Sequence, residues 1–506
     1  MRPKGDDVIG YVVGESKPYS VSIVSSKPLM LGEYVEIRYN GITVIGLIQS
    51  SLSGSYVIDE TLPPEDLRKV INIHKGSEGA IYYKAYVKIL GDPDELRIPP
   101  IPPPPGIEVR RASQKTLSKI FAPEGPQWAR VGTLLRNPDV EVRVDLNKIV
   151  QRHLAILAMT GMGKSNLVSL LAREILMRGG TTFIFDYHGE YVGLIFEGLP
   201  RPNVIKARIN PRYLSWQEFA RLIGVRHGAK NQENIIKRCK EELDYSEADG
   251  QRSYLEAMIN CVKRERQLAR RGEMVKACEA VIETIEANRH LLQKIIDDEA
   301  KDIADQAMIG RINVIDLTGL SSYLQADAVV SHWLGRILEE RKAATWRKGS
   351  EHQPRLPHPV VIVLEEAHIY LSTDRDTLTK PRAEHIAREG RKFGVGLIVV
   401  SQRPRGLDPD VLSQMGSMAI MRIIQPEDQA HIARASENLT QEILDQLPGL
   451  NIGEAILLGH WVRMPAVVKI DHVVEKTAGT DIDAVQEWIS WKNVENRKEY
   501  IEPKSL

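Results

Sequence analysis

The sequence predicts an α/β protein with a mainly parallel sheet, interrupted by a helical insertion and preceded by a small N-terminal β-barrel. Three observations predict it. Short β-rich runs separated by turns fill the first 95 residues. From residue 150 onward, apolar runs alternate with stretches of helical period. Between 213 and 306 there is no proline and little β-type sequence, but abundant Glu, Lys, Arg, Leu and Ala.

The barrel comes first. Residues 8–13, 19–24, 34–39, 43–48 and 82–89 read as strands, and Asn40-Gly41 is a hairpin turn signal. Many short strands at this spacing suit a small closed barrel with no chemistry of its own. The run Arg97–Gly106 holds six prolines. Proline at this density favours a stiff extended segment, so 1–96 is expected to be the barrel and 97–149 a linker and lead-in. The α/β core then reads as 150–212 and 307–472, with strands at 154–158, 181–186, 312–316, 360–364, 395–400, 418–423 and 454–458. The insertion spans 213–306. A polar C-terminal segment, 473–506, is expected to dock elsewhere as a brace.

Composition narrows the function. Lys plus Arg equals Asp plus Glu at 67 each, so net charge is zero. That excludes a surface basic throughout, but not a local basic channel. The longest apolar runs fall far short of the roughly 20 residues of a membrane span. No apolar signal segment follows the N-terminus, so a cytoplasmic protein with no membrane partner is expected. Cys239, Cys261 and Cys278 form no CxxC pair. Neither a zinc site nor a disulfide is expected of them; they read as buried or half-buried thiols.

The chemistry begins with the turn from Ala158 to Ser165. A buried strand precedes it and a helix follows, so its backbone N–H groups converge on an anion at a helix N-terminus. Thr160, Gly161, Met162, Gly163, Lys164, Ser165 and Asn166 are the candidate nucleotide-binding residues. Lys164 reaches the terminal phosphates, and the Ser165 hydroxyl is a magnesium ligand. The chain therefore reads as a P-loop ATPase using ATP and Mg2+. Ala158 stands where the usual first glycine would be; alanine fits if its φ is negative.

Next, the apolar strand 360–364 delivers Glu365 and Glu366 to the edge where α/β ligands bind. Glu365 is placed to hold the metal's hydration shell and Glu366 to polarise the attacking water. His368 reads as a structural hydrogen-bonder. The strand 395–400 ends in Gln402, which can sense the γ-phosphate. Arg391 and Arg152 each precede a core strand, at the opposite edge from their own P-loop. Either could complete a neighbour's site in a ring, as an arginine finger. At the end of the strand 181–186, Asp186 and Glu190 could bind metal or order the site.

Together, TGMGKSN at 160–166, DYHGEY at 186–191, VLEEAH at 363–368 and GRKFGVGLIVVSQRP at 390–404 resemble the HerA family within the FtsK/HerA group of DNA-translocating ATPases. The order of domains extends the resemblance over nearly the whole chain. The resemblance implies a RecA-like core, a homo-hexameric ring that threads double-stranded DNA, and a nuclease partner, NurA, in end resection during recombinational repair. It also implies Lys164 and Ser165 for nucleotide, Glu366 for the water, Gln402 as sensor, and Arg391 and Arg152 completing the site between subunits. DNA contacts are expected from Ser372–Arg382, through Arg375, Lys380 and Arg382 on phosphates. A protein-translocating ATPase and a nucleotide-gated scaffold remain as alternatives.

Overall fold

The computed structural model describes residues 8–58, 62–74, 81–245, 253–270, 272–320, 322–346, 354–436, 439, 441–474, 484–486 and 488–489. Its first unit is a closed barrel of β1 (Val8–Lys17), β2 (Ser20–Ser25), β3 (Tyr34–Tyr39), β4 (Ile42–Ser55), β5 (Ile81–Gly91) and β6 (Glu108–Arg111), in the order β1-β2-β5-β4-β3-β6. Helix α1 (Pro64–His74) lies between β4 and β5. Asn40 and Gly41 both take positive φ, 48° and 76°; such a turn matches the twist of the β3–β4 hairpin. Strand β6 pairs with both β1 and β3. It closes the barrel from within the stretch expected to be linker, because the proline run returns the chain to the barrel's open edge.

The rest of the lead-in also folds. Helix α2 (Gln114–Phe121), β7 (Trp128–Leu134), β8 (Glu141–Asp145) and α3 (Leu146–Arg152) precede β9 (Leu154–Leu157). After β9 come α4 (Lys164–Met177), β10 (Thr181–Asp186) and β11 (Asn203–Lys206). Helices α5 (Trp216–Ile223), α6 (Lys230–Tyr245), α7 (Tyr254–Leu268), α8 (Gly272–Ala287), α9 (Arg289–Ile295) and α10 (Ile303–Gln306) form the insertion. The chain returns through β12 (Ile312–Asp316), α11 (Tyr323–Trp346), β13 (Val360–Leu364), α12 (Thr379–Phe393), β14 (Val395–Ser401), α13 (Pro409–Ser413), β15 (Ser417–Ile420), α14 (Pro426–Ala435), α15 (Gln441–Leu444), β16 (Glu454–Gly459) and β17 (Ala466–Ile470).

Among the described residues, one sheet of eleven strands organises the core, in the order β11-β12-β10-β13-β14-β9-β15-β16-β17-β7-β8. From β11 to β15 every pair is parallel; from β15 to β8 every pair is antiparallel. Inside the edge strand β11, which is largely exposed, the parallel strands are buried on both faces, which is why they read as apolar runs. One face packs against α11, α12 and the insertion; the other packs against α2 and α4. Tyr34, Ile45 and Leu47 of the barrel share the second core with Phe121 of α2. The Tyr34 hydroxyl donates to the Pro465 carbonyl at 2.7 Å. Barrel and core are therefore joined by packing as well as by chain.

The cysteine expectation is overturned. Cys239 of α6 and Cys261 of α7 form a disulfide, with Cα atoms 5.7 Å apart. Adjacent helices turn these two residues toward each other, a juxtaposition that spacing along the chain does not report. Cys278 of α8 is a buried free thiol. The expected brace, 473–506, lies for the most part outside the described residues. Among the described residues, no helix is long and apolar enough to cross a membrane.

Candidate functional site

Strands β10, β13, β14 and β9 lie side by side and parallel, so their C-terminal ends share one edge of the sheet. The turn after β9 rises there. Gly161 and Gly163 take φ of 76° and 105°, where a side chain would be strained. Ala158 is fully buried and is not among the positive-φ residues, so alanine fits. Helix α4 begins at Lys164, with its free N–H groups and dipole facing the turn. The Lys164 ammonium lies 3.4 Å from the Ala158 carbonyl and 3.3 Å from that of Met159. Burial lowers its pKa, against the pull of Glu366, Glu365 and Glu190. An ammonium held only by long contacts to two carbonyls, at the N-terminus of a helix, is placed to receive an anion despite the carboxylates nearby.

Glu365 and Glu366 follow β13 and are both buried. Burial drives the Glu365 pKa up to about 9, with Glu190 and Asp186 adding repulsion. The Tyr191 hydroxyl donates to Glu365 Oε1 at 3.1 Å. Glu366 sits at φ 46°, ψ 44°, a left-handed backbone that costs a non-glycine residue about 1–3 kcal/mol and concentrates at functional sites. Burial raises its pKa, while Lys164 and His188 oppose the rise. Among the described residues, neither Glu365 Oε2 nor Glu366 Oε2, both buried, has a hydrogen-bond partner, although His368 Nδ1 lies 3.2 Å from the latter. Hard, under-satisfied oxygens beside a phosphate loop suit magnesium and its water.

Asp186 ends β10 fully buried. Its carboxylate accepts from the backbone N–H groups of Gly189, Glu190 and Tyr191 at 2.8, 3.0 and 2.8 Å. The carboxylate thus holds the turn 187–191 and also meets the Glu365 carboxyl. Gln402 follows β14 and is hydrogen-bonded to the Thr160 hydroxyl. His368 lies 3.2 Å from Glu366 and 3.3 Å from the Ser401 hydroxyl. Burial, with Arg403, Arg375, Lys164 and His188 nearby, lowers its pKa to about 4. A neutral ring of this kind hydrogen-bonds.

Other candidates lie elsewhere. The Asn166 amide donates to the Asp471 carbonyl and its oxygen accepts from the Val473 N–H, both at 2.9 Å. It anchors the chain after β17, so its side chain is not free for nucleotide. Arg152 ends α3 and Arg391 lies in the last turn of α12. Both are exposed, at the opposite edge of the sheet, roughly 13–23 Å away across strands of four and seven residues. Between them, buried His153 ties the two helices' strands together. Its Nδ1 accepts from Leu397 N–H and its Nε2 donates to the Ala387 carbonyl, both at 3.0 Å.

The basic segment also departs from an open loop. Helix α12 starts at Thr379, so Lys380 and Arg382 stand on its first turn. The Lys380 ammonium pairs with Asp408 at 3.3 Å. The Arg375 guanidinium lies over the Tyr323 ring at 4.7 Å. Arg382 is exposed and lies against Gly335 of α11. Sequence reasoning did not single out Tyr191, Ser401 or His188 for this site. Tyr191 and His188 belong to the DYHGEY block, which was the available signal; nothing marked Ser401.

A phosphate loop, a carboxylate pair after the second strand over and a glutamine after the strand between them define a P-loop ATPase of RecA-like architecture. Three family descriptions match this chain: "HAS barrel domain" over residues 9–95, "Helicase HerA, central domain" over 129–337 and "Helicase HerA-like C-terminal" over 299–478. The DNA double-strand break repair helicase HerA of Sulfurisphaera tokodaii is 40% identical over 491 residues, covering 95% of this chain and 96% of that one. The protein of the same name from Pyrococcus furiosus is 30% identical over 544 residues, covering 96% and 98%. The chain belongs to the HerA helicase family. Among solved structures, VirB4 of Thermoanaerobacter pseudethanolicus superposes with a TM-score of 0.49 at 16% identity, covering 70% of this chain and 99% of that one.

Proposed function

We propose that this protein is an ATP-driven translocase and helicase on double-stranded DNA, acting as a homo-hexameric ring with the nuclease NurA in end resection and recombinational repair. The observation that carries the reading is the meeting of Lys164, Glu365, Glu366 and Gln402 on one edge of a parallel sheet, in a chain of the HerA family. The backbone of 160–165 cradles the phosphates of ATP, and Lys164 neutralises the terminal ones. Ser165 and Glu365 would hold Mg2+, which would supply positive charge to the phosphate oxygens and favour the ionised form of the Glu365 carboxyl. Glu366 accepts the proton of the attacking water; its raised pKa gives it the basicity the step needs. Gln402, beside Thr160, registers the γ-phosphate.

Arg391 and Arg152 lie too far from their own phosphate loop to act there. They complete the site of the adjacent subunit, which makes hydrolysis a property of the ring. Arg375, Lys380 and Arg382 contact DNA phosphates once released from Tyr323, Asp408 and Gly335, respectively. The barrel offers the nuclease-docking surface.

The test is ATPase activity of the purified protein with and without duplex DNA, alongside electron microscopy of the particle. Duplex should stimulate turnover, six-membered rings should be seen, and Lys164→Ala should lose hydrolysis. Mixing Arg391→Ala with Lys164→Ala subunits should recover some activity at mixed interfaces. Stimulation by an unfolded polypeptide instead of duplex would move the reading to a protein translocase. Full partner activity with Glu366→Gln would move it to a nucleotide-gated scaffold.

A further inference from the structure

Glu366 is held on a left-handed backbone between two histidines from different elements. His368 Nδ1 lies 3.2 Å from Oε2, and His188 Nε2 lies 3.5 Å from Oε1. His368 belongs to the same short turn as Glu366 and moves with it. His188 belongs to the neighbouring strand end, just after β10. Its loop is pinned by the three N–H bonds to Asp186. Its ring is set edge-on to Tyr187, with centroids 5.3 Å apart, and Tyr187 in turn meets Tyr370 edge-on at 6.5 Å. Tyr370 lies four residues beyond Glu366. His188 thus reaches the carboxylate from outside its own turn, on a separately anchored loop.

We propose that His188 is a positioning residue that aims the Glu366 carboxylate at the attacking water. The proposal rests on the reading of Glu366 as the group that takes the water's proton. His188 Nε2 faces Oε1, and an N–H there would donate to it on closer approach and leave the other oxygen for the water. At 3.5 Å the contact is long, as catalytic hydrogen bonds often are before substrate binds, and it tightens when ATP fills the site. No covalent step passes through His188. Its role in the proposal is through Glu366 and not through the phosphates, so its loss should leave nucleotide affinity intact and act on turnover alone.

The experiment compares wild type, His188→Ala, His188→Gln and Glu366→Gln in the full chain. It measures kcat and KM for ATP with duplex DNA, and nucleotide affinity by direct binding. His188→Ala should lower kcat about tenfold or more with KM and nucleotide affinity unchanged. His188→Gln should recover most of the loss, because its amide nitrogen can reach the position of Nε2. A wild-type kcat in His188→Ala overturns the proposal. So does a loss that glutamine fails to restore, or one that comes with weakened nucleotide binding, since either marks a structural role. Normal turnover in Glu366→Gln instead overturns the reading of Glu366 itself, and this inference with it.

Discussion

Removing the Asp186 carboxylate should open the turn 187–191 while leaving the sheet intact. Three backbone N–H groups depend on it, at 2.8–3.0 Å. Hydrogen bonds to a charged acceptor contribute about 1.5–3 kcal/mol each. The N–H groups of Gly189 and Glu190 are only partly buried and find water in its absence; that of Tyr191 is buried and does not. Against this, burial already penalises the carboxylate and raises its pKa, so its removal returns part of the cost. The balance for Asp186→Ala is about 3 kcal/mol of local stability. By the usual factor of ten per 1.4 kcal/mol, that speeds amide exchange in the turn roughly a hundredfold. Asp186→Asn keeps one acceptor but points an NH2 at the Tyr191 N–H, and should cost about half as much. Hydrogen exchange resolved to residues 187–191 reads the effect, and ATP turnover should fall with it because His188 and Tyr191 ride on the turn. Amides that exchange at the wild-type rate in Asp186→Ala would refute the reasoning.

Two further expectations concern stability. Burial lowers the His153 pKa from 6.5 to about 4, so the folded chain refuses a proton that the unfolded chain accepts. Stability from this group should be complete above pH 6.5 and fall by about 3 kcal/mol as pH drops toward 4. Urea midpoints for wild type and His153→Gln at pH 7.5 and 4.5 check this; a difference between the two proteins that does not shrink at low pH contradicts it. The Cys239–Cys261 bridge closes a separation of 22 residues, which stabilises by about 3 kcal/mol through the unfolded chain. Thiol titration of denatured, unreduced protein should find one free thiol and, after reduction, three, with earlier melting of the helical insertion. Three free thiols before reduction would remove the bridge.

What was legible in the sequence follows from burial. Strands β9, β10, β13 and β14 are covered on both faces, so they spell apolar runs. The strands β7 and β8 carry Arg130, Arg143 and Glu141 on one face, where Arg130 bridges Glu141 and Asp471. Short, alternating and charged, they passed for lead-in. The phosphate loop and Glu365-Glu366 announce themselves because their chemistry is local. What Glu365 faces is not local: Tyr191 arrives from the turn after β10, 174 residues away. The same holds for Arg375 on Tyr323 and for the two bridged cysteines, whose meeting depends on how helices pack and not on their spacing.

Strands β7 and β8 have a practical consequence for dissecting this molecule. They lie upstream of the phosphate loop, yet they extend the sheet beyond β17. A truncated protein that starts at residue 150 would bare the β17 edge, an invitation to intermolecular strand pairing and precipitation. The cut that frees the motor from its N-terminal module belongs between Arg111 and Gln114. Even there, the surface around Phe121 that Tyr34 now covers would need a polar replacement to stay dispersed in water.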